Sequence, residues 1–339
     1  MTAAAHAGRS TSGRRSAWWW VRLAGAAATL AVLVWRLGTG PFLDGLRAVD
    51  GGALAAASGL AVLTTVCCAW RWRIVARGLG VDLPLGTAVA AYYRSLFLNV
   101  ALPGGVVGDV HRGISHGRAT SDVGRGLRAV AWERSAGQVV QVVLTVAVLL
   151  VVPSPVRSIA PLVAFVLIAA AAGVALAMRA RPAVGRVGRS RFSRLRSAAA
   201  RDVRDGLLAA RAWPAIALAS ALVVAGHAVT FLIAARTAGA TAPASRMLPL
   251  ALLVLLAAAL PNIGGWGPRE GVTAWAFAAA GLGTSLGVAT AVVYGVMVIV
   301  ASLPGAAVLV AAWVYRTRSA PRLPGRLGVL ARHDGAQDA

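Results

Sequence analysis

Lysine is missing from this 339-residue sequence, and glutamate nearly so. All 34 cations are arginine, set against nine Asp and only two Glu, Glu133 and Glu270. Charged residues make up 13% of the chain, about half the roughly 25% of soluble domains. Cysteine is confined to the adjacent Cys67 and Cys68 inside an apolar run. That placement reads as core packing and argues against a disulfide or metal role. A glycine-rich phosphate loop, an H-E-x-x-H pair and a nucleophile motif are all absent, so nothing in the sequence supports ATP-driven action, and no catalytic centre is expected. No soluble catalytic domain, cofactor or metal is expected either; His111 and His116 lie in a loop without further ligand-type partners.

Apolar residues are what the chain has in excess, at 58%. Its net charge of +23 would point to nucleic acid in a soluble protein. The apolar content excludes that partner, because runs of about 20 apolar residues recur, each able to cross a hydrocarbon core about 30 Å thick. The fold class read from this pattern is an all-α integral membrane protein. Apolar segments fall at 18–37, 51–70, 86–102, 129–152, 159–178, 214–235, 247–262 and 272–313, the last broken by Gly281-Leu282-Gly283-Thr284 into 272–280 and 286–313. The flanking 1–17 and 316–339 are polar and expected to be disordered, and the first segment is read as a retained helix and not a cleaved signal.

Arginine placement sets the orientation. The loop 179–213 holds ten Arg and is placed in the cytoplasm by the positive-inside rule, along with the stretch carrying Arg71, Arg73 and Arg77. Crossings then balance only if 86–102 enters and returns, and if 247–262 and 272–280 form a second hairpin. The expected topology is about six spanning helices plus two re-entrant hairpins, with both termini cytoplasmic and an inverted repeat suggested. On this count 26 Arg lie on the cytoplasmic side, where anionic leaflets attract them. The missing lysine and abundant alanine are more simply a GC-rich coding bias.

Two breaks share a pattern. One is Asn99 to Arg112, containing Pro103, Gly104, Gly105, Gly108, Asp109 and His111; the other is Pro261 to Glu270, containing Asn262, Gly264, Gly265, Gly267, Pro268 and Arg269. Each joins an apolar helix to a Pro/Gly turn and then to an acidic–basic pair. Non-helical backbone at membrane depth survives only when buried in protein or lining a wet cavity, and paired breaks of this kind point to a transporter's midplane site. Helix N-termini after the turns could meet an anion, with Arg112 and Arg269 gripping a phosphate and Asp109 and Glu270 orienting them or relaying protons. A Gly/Pro loop with a local ion pair is the alternative. Each Glu adjoins an Arg, as Glu133-Arg134 and Arg269-Glu270, and ionisable residues in apolar segments are a functional hypothesis by default. For Glu133-Arg134 an interfacial ion pair stays equally open. Arg94 either snorkels or faces a cavity, His227 is read as packing, and Asn99 and Asn262 either cap their turns or touch substrate.

These residues together resemble the lysylphosphatidylglycerol synthase transmembrane family: Asn99, Leu102-Pro103-Gly104-Gly105, Gly108-Asp109, Arg112, Glu133-Arg134, then Pro261 and Gly264 to Glu270, with Trp70-Arg71-Trp72-Arg73 after the second span. The resemblance covers roughly 18–315; Arg94 and Pro268 depart from the pattern. It implies a bacterial inner-membrane protein acting on lipids, whose best-known relatives pair this domain with an aminoacyl transferase. Without that transferase, the expectation is a lipid translocase and not a synthase. It would bind an anionic or phosphate-bearing headgroup between the two breaks. An accessory protein or enzyme of lipid-linked glycan synthesis, and a small-solute transporter, are the alternatives. Membrane lipids are the expected partners; a homo-oligomer and lipid- or glycan-synthesis enzymes are left open.

Overall fold

A computed structural model describes residues 28–29, 31–102, 105–154, 212–260 and 266–319, together with 156, 158, 161, 162, 165 and 202. Pro103, Gly104, Pro261, Asn262, Gly264 and Gly265 lie outside the described residues. So do most of segment 159–178, the ten-Arg loop and both polar ends.

Every element among the described residues is helical. Residues 31–37 form α1. They are followed by α2 (Gly40–Ala48), α3 (Gly51–Gly78), α4 (Leu85–Ala101), α5 (Val107–Ala119), α6 (Val123–Val151), α7 (Trp213–Thr237), α8 (Ala244–Ala258), α9 (Pro268–Ala279) and α10 (Thr284–Ser319). Caps define several ends. Asp50 accepts the Ala53 amide at 2.8 Å, and Asp122 accepts that of Arg125 at 2.8 Å; a cap of this type stabilises a helix by about 1 kcal/mol. Gly281 and Gly283 take positive φ between α9 and α10, which places the break at the sequence signal.

Four described helices are long and apolar enough to cross a membrane: Gly51–Gly78, Val123–Val151, Trp213–Thr237 and Thr284–Tyr315. The protein is a multi-pass, all-α membrane protein. With 17, 15 and 12 residues, α4, α8 and α9 rise roughly 26, 23 and 18 Å, short of the hydrocarbon core. Helix boundaries run further than the apolar segments do. α3 continues eight residues past its segment end at Trp70, and α6 begins at Val123, six residues before its segment. An extra helix, α2, fills the first connection and packs on α10, where Gly45 leaves room for the Ala289 carbonyl.

α3 packs on α7, α4 on α10 and on α5, and α5 on α6. The larger core cluster contains Phe231, Phe277 and Tyr294, their rings stacked edgewise or tilted at 5.8–6.3 Å between centroids. The second gathers Trp72, Tyr92 and Cys67 and Cys68 among small residues. Both cysteines are free and buried, as the sequence reading has them. A close helix approach is set by Gly108: a Cβ there would stand 2.0 Å from the Ser95 carbonyl oxygen. Only glycine lets the first turn of α5 lie on α4, and Asp109 is the next residue.

Candidate functional site

Five charged side chains from three helices converge where α3, α5 and α6 meet. Glu133 on α6 is fully buried. Its Oε1 accepts Nε of Arg71 at 3.0 Å and Nη2 of Arg71 at 2.5 Å, and its Oε2 accepts Nη2 of Arg112 at 3.0 Å. The Tyr92 hydroxyl also donates to Oε1, at 3.4 Å. Asp109 on α5 is engaged by four donors: Ser95 Oγ at 3.0 Å, Asn99 Nδ2 at 3.1 Å, Arg112 Nη2 at 3.1 Å and Arg134 Nη2 at 2.5 Å. Asn99 completes the turn by accepting the Gly108 amide on Oδ1 at 2.8 Å. It thereby caps α5 and aligns Asp109 in one step.

Arg112 is the hub. Its side chain has no exposed surface, it bridges both carboxylates, and its guanidinium sits between the Trp72 ring at 4.5 Å and the Tyr92 ring at 4.2 Å. Desolvated contacts of this kind are worth about 2 kcal/mol. Its Nε and Nη1 and the Trp72 Nε1 have no hydrogen-bond partner among the described residues. Arg71 reaches Ser220 on α7 at 2.9 Å and lies flat against Gly137, where a Cβ would come within 2.8–2.9 Å of its guanidinium. Arg134 differs from the others: its side chain is 40% exposed, and its Nε is unpartnered.

The second cluster is self-contained. Arg269 donates to its neighbour Glu270 through Nε at 2.8 Å and through Nη2, and the other Glu270 oxygen accepts the Gly267 amide at 2.6 Å. Gly267 has φ of 135°, a conformation that favours glycine. Arg269 faces the Tyr294 ring at 5.1 Å and the Trp266 ring at 6.0 Å, with Gly295 on α10 clearing the space for it. Both members are buried.

The structure thus joins Asn99, Gly108, Asp109, Arg112, Glu133 and Arg134 in one network, and holds Gly267, Arg269 and Glu270 in another. Gly105, with φ of 66°, belongs to the turn before α5. Neighbours in sequence pair at 269–270 but not at 133–134. Glu133 turns to Arg71 and Arg112, and Arg134 turns to Asp109. Arg71, Tyr92, Ser95 and Ser220 complete the first network and were not singled out from the sequence as site residues. The sequence places Arg71 in a cytoplasmic stretch after the second span, whereas it lies inside α3 with 4% of its surface exposed; the Trp70-Arg71-Trp72-Arg73 pattern is its one signal. α6 starts ten residues before Glu133, so Glu133 and Arg134 lie well inside the helix. His116 stacks edgewise on Trp72 at 5.2 Å, and no group of His, Cys, Asp or Glu among the described residues forms a metal site.

A comparison with protein-family models matches residues 19–305 to the lysylphosphatidylglycerol synthase TM region. No curated protein matches the chain. The match spans most of the sequence and contains both charged clusters, and the chain therefore belongs to the lysylphosphatidylglycerol synthase transmembrane family.

Proposed function

We propose that this protein binds the phosphate of an anionic membrane lipid at the Asp109–Glu133 cluster and carries the lipid between leaflets. Family membership supports a role connected with membrane lipids. The observation that carries the reading is a charge imbalance. Among the described residues, Arg71, Arg112 and Arg134 are linked to two carboxylates, Asp109 and Glu133, which leaves one positive charge in excess. A net charge away from water is costly unless paired, and an anion is what removes the cost. Arg134 is where it would land, since its side chain alone of the three keeps substantial exposed surface. Arg112 and Glu133 are sealed, so they hold Asp109 and Arg134 in place and leave the headgroup contact to Arg134.

In this reading α4 with α5, and α8 with α9, are re-entrant hairpins in an inner membrane, with both chain ends in the cytoplasm. Their short lengths support it. We favour a carrier over an enzyme. The four donors on Asp109 suit an anchor, since a general base needs an oxygen open to substrate. Vesicles containing fluorescent phosphatidylglycerol test the proposal. Wild-type protein should move the lipid between leaflets faster than protein-free vesicles do, and Arg134→Gln, which makes the cluster neutral, should fall to the protein-free rate. Equal rates for wild type and Arg134→Gln would overturn it.

A further inference from the structure

Beside the charged cluster, α3, α4, α7 and α10 line a partly open cavity of about 90 Å³. It shares two residues with the cluster. Tyr92 lines the cavity while its hydroxyl reaches Glu133; Cys68 lines it while its sulfur accepts Arg71 Nη2 at 3.7 Å. Helix α4 divides its faces between the two. Tyr92, Leu96 and Val100, spaced by four, face the cavity, whereas Ser95 and Asn99, also spaced by four, hold Asp109.

The lining is mostly apolar. Thr64 donates its hydroxyl to the Ala61 carbonyl at 3.2 Å, Thr230 to that of Gly226 at 2.9 Å, and Ser302 to that of Ile299 at 2.7 Å. Each hydroxyl is spent on its own helix, the usual behaviour of Ser and Thr inside a helix, and carbon is left facing the void. Thr65 and His227 are the remaining polar lining residues. An engineered apolar cavity of about 150 Å³ stays empty of water and takes up benzene. This one, being smaller, fits a few methylenes and excludes a hydrated headgroup. An unfilled void forfeits dispersion contacts along its walls, and lipid tails outside are as apolar as the lining, so hydrophobicity alone draws nothing in. A chain tethered next to the cavity by its headgroup is the guest that gains those contacts.

We infer that the cavity is the hydrocarbon-chain subsite of the same ligand: it takes the upper methylenes of one chain of the lipid whose phosphate Arg134 holds. The inference rests on the proposed headgroup reading and adds that the ligand is an amphiphile held at both its charge and its chain.

A phosphatidylglycerol analogue with a diazirine in the upper part of one acyl chain tests it, in vesicles containing wild type, Arg134→Gln or Ala301→Phe; the last fills the cavity from α10. After photolysis, peptide mass spectrometry locates the adducts. The expected result is adducts on the cavity residues Leu96, Val100 and Val298, falling several-fold in both variants. If adducts fall only on outward-facing residues such as Leu150 and Val310, the chain subsite is wrong; the headgroup reading then stands if Arg134→Gln abolishes movement of fluorescent lipid. If cavity adducts persist at the wild-type level in Arg134→Gln, the headgroup reading fails and the link between the two sites fails with it. Ala61→Leu, which fills the void from α3, must repeat the Ala301→Phe loss; persistence of adducts in both filled variants overturns the subsite.

Discussion

Replacing Glu133 by Gln should be the most damaging single change in the chain. The carboxylate is fully buried and receives three arginine hydrogen bonds, two from Arg71 and one from Arg112, at 2.5–3.0 Å. Glutamine keeps the shape but removes the charge, so three guanidiniums share Asp109 alone and the excess rises from one positive charge to two. The amide NH2 must also face an arginine donor, since both oxygens of Glu133 are occupied by arginine. Breaking a buried pair by removing one partner costs about 3–5 kcal/mol. Arg71→Leu brings the cluster to zero and leaves Glu133 its bonds to Arg112 and Tyr92, so it should cost less. In the double variant the excess returns to one charge, and exchange of a buried pair for neutral residues is often close to neutral. The double variant should therefore be more stable than the sum of the singles implies by at least about 2 kcal/mol, well outside the roughly 0.3–0.5 kcal/mol scatter of independent sites. Unfolding of detergent-solubilised protein, followed by the fluorescence of its 11 tryptophans, measures all four members of the cycle. Additive effects would refute the claim that the two side chains form one buried unit.

Two glycines test how the backbone delivers the cluster. Gly108→Ala puts a methyl 2.0 Å from the Ser95 carbonyl oxygen, where ordinary contact begins at 3.4 Å, so α5 must retreat and lose the bonds of Asp109 to Ser95 and Asn99. Overpacking of this kind costs about 1–3 kcal/mol, and an unchanged unfolding midpoint would show that α4 and α5 are not in register. Gly137→Ala pushes on the Arg71 guanidinium from 2.8 Å; its cost, in the same range, should largely vanish in an Arg71→Leu background. A cost that survives there would place the strain elsewhere.

How much of this was legible in the sequence depends on the kind of signal. Hydropathy located α3, α6, α7 and α10 because a spanning helix must be apolar over about 20 residues, and glycines at 281 and 283 marked the α9–α10 break because positive φ suits them. Asp109 and Arg112 were legible from the Pro/Gly break that leads into them, and Glu133 and Arg134 because charge within an apolar segment needs a reason. Partner choice was not. Arg71 pairs across 62 positions with Glu133, and Ser220 meets Arg71 across 149; nothing local in the sequence encodes such separations. Hydropathy also ends a segment at the first charge, so a buried arginine inside a helix is assigned to the adjoining loop. That is how α3 lost its last two turns, and Arg71 with them.

The two breaks look alike in sequence, yet their charges are settled differently. At the α9 start one Arg meets one Glu, the sum is zero, and the carboxylate's second oxygen is used on the Gly267 amide. On the proposed reading, the surplus charge makes the first cluster the headgroup site and the second an anchor for the start of α9. This has a measurable consequence. Arg269→Met with Glu270→Gln keeps the sum at zero and leaves a side-chain oxygen able to accept the Gly267 amide. Since exchanging a whole buried pair for neutral residues is often neutral or stabilising, this double variant should stay folded and move fluorescent phosphatidylglycerol at the wild-type rate. Loss of movement in a variant whose unfolding midpoint is unchanged would mean that the second cluster handles the lipid as well, and that the headgroup passes between two cation sites and not from one.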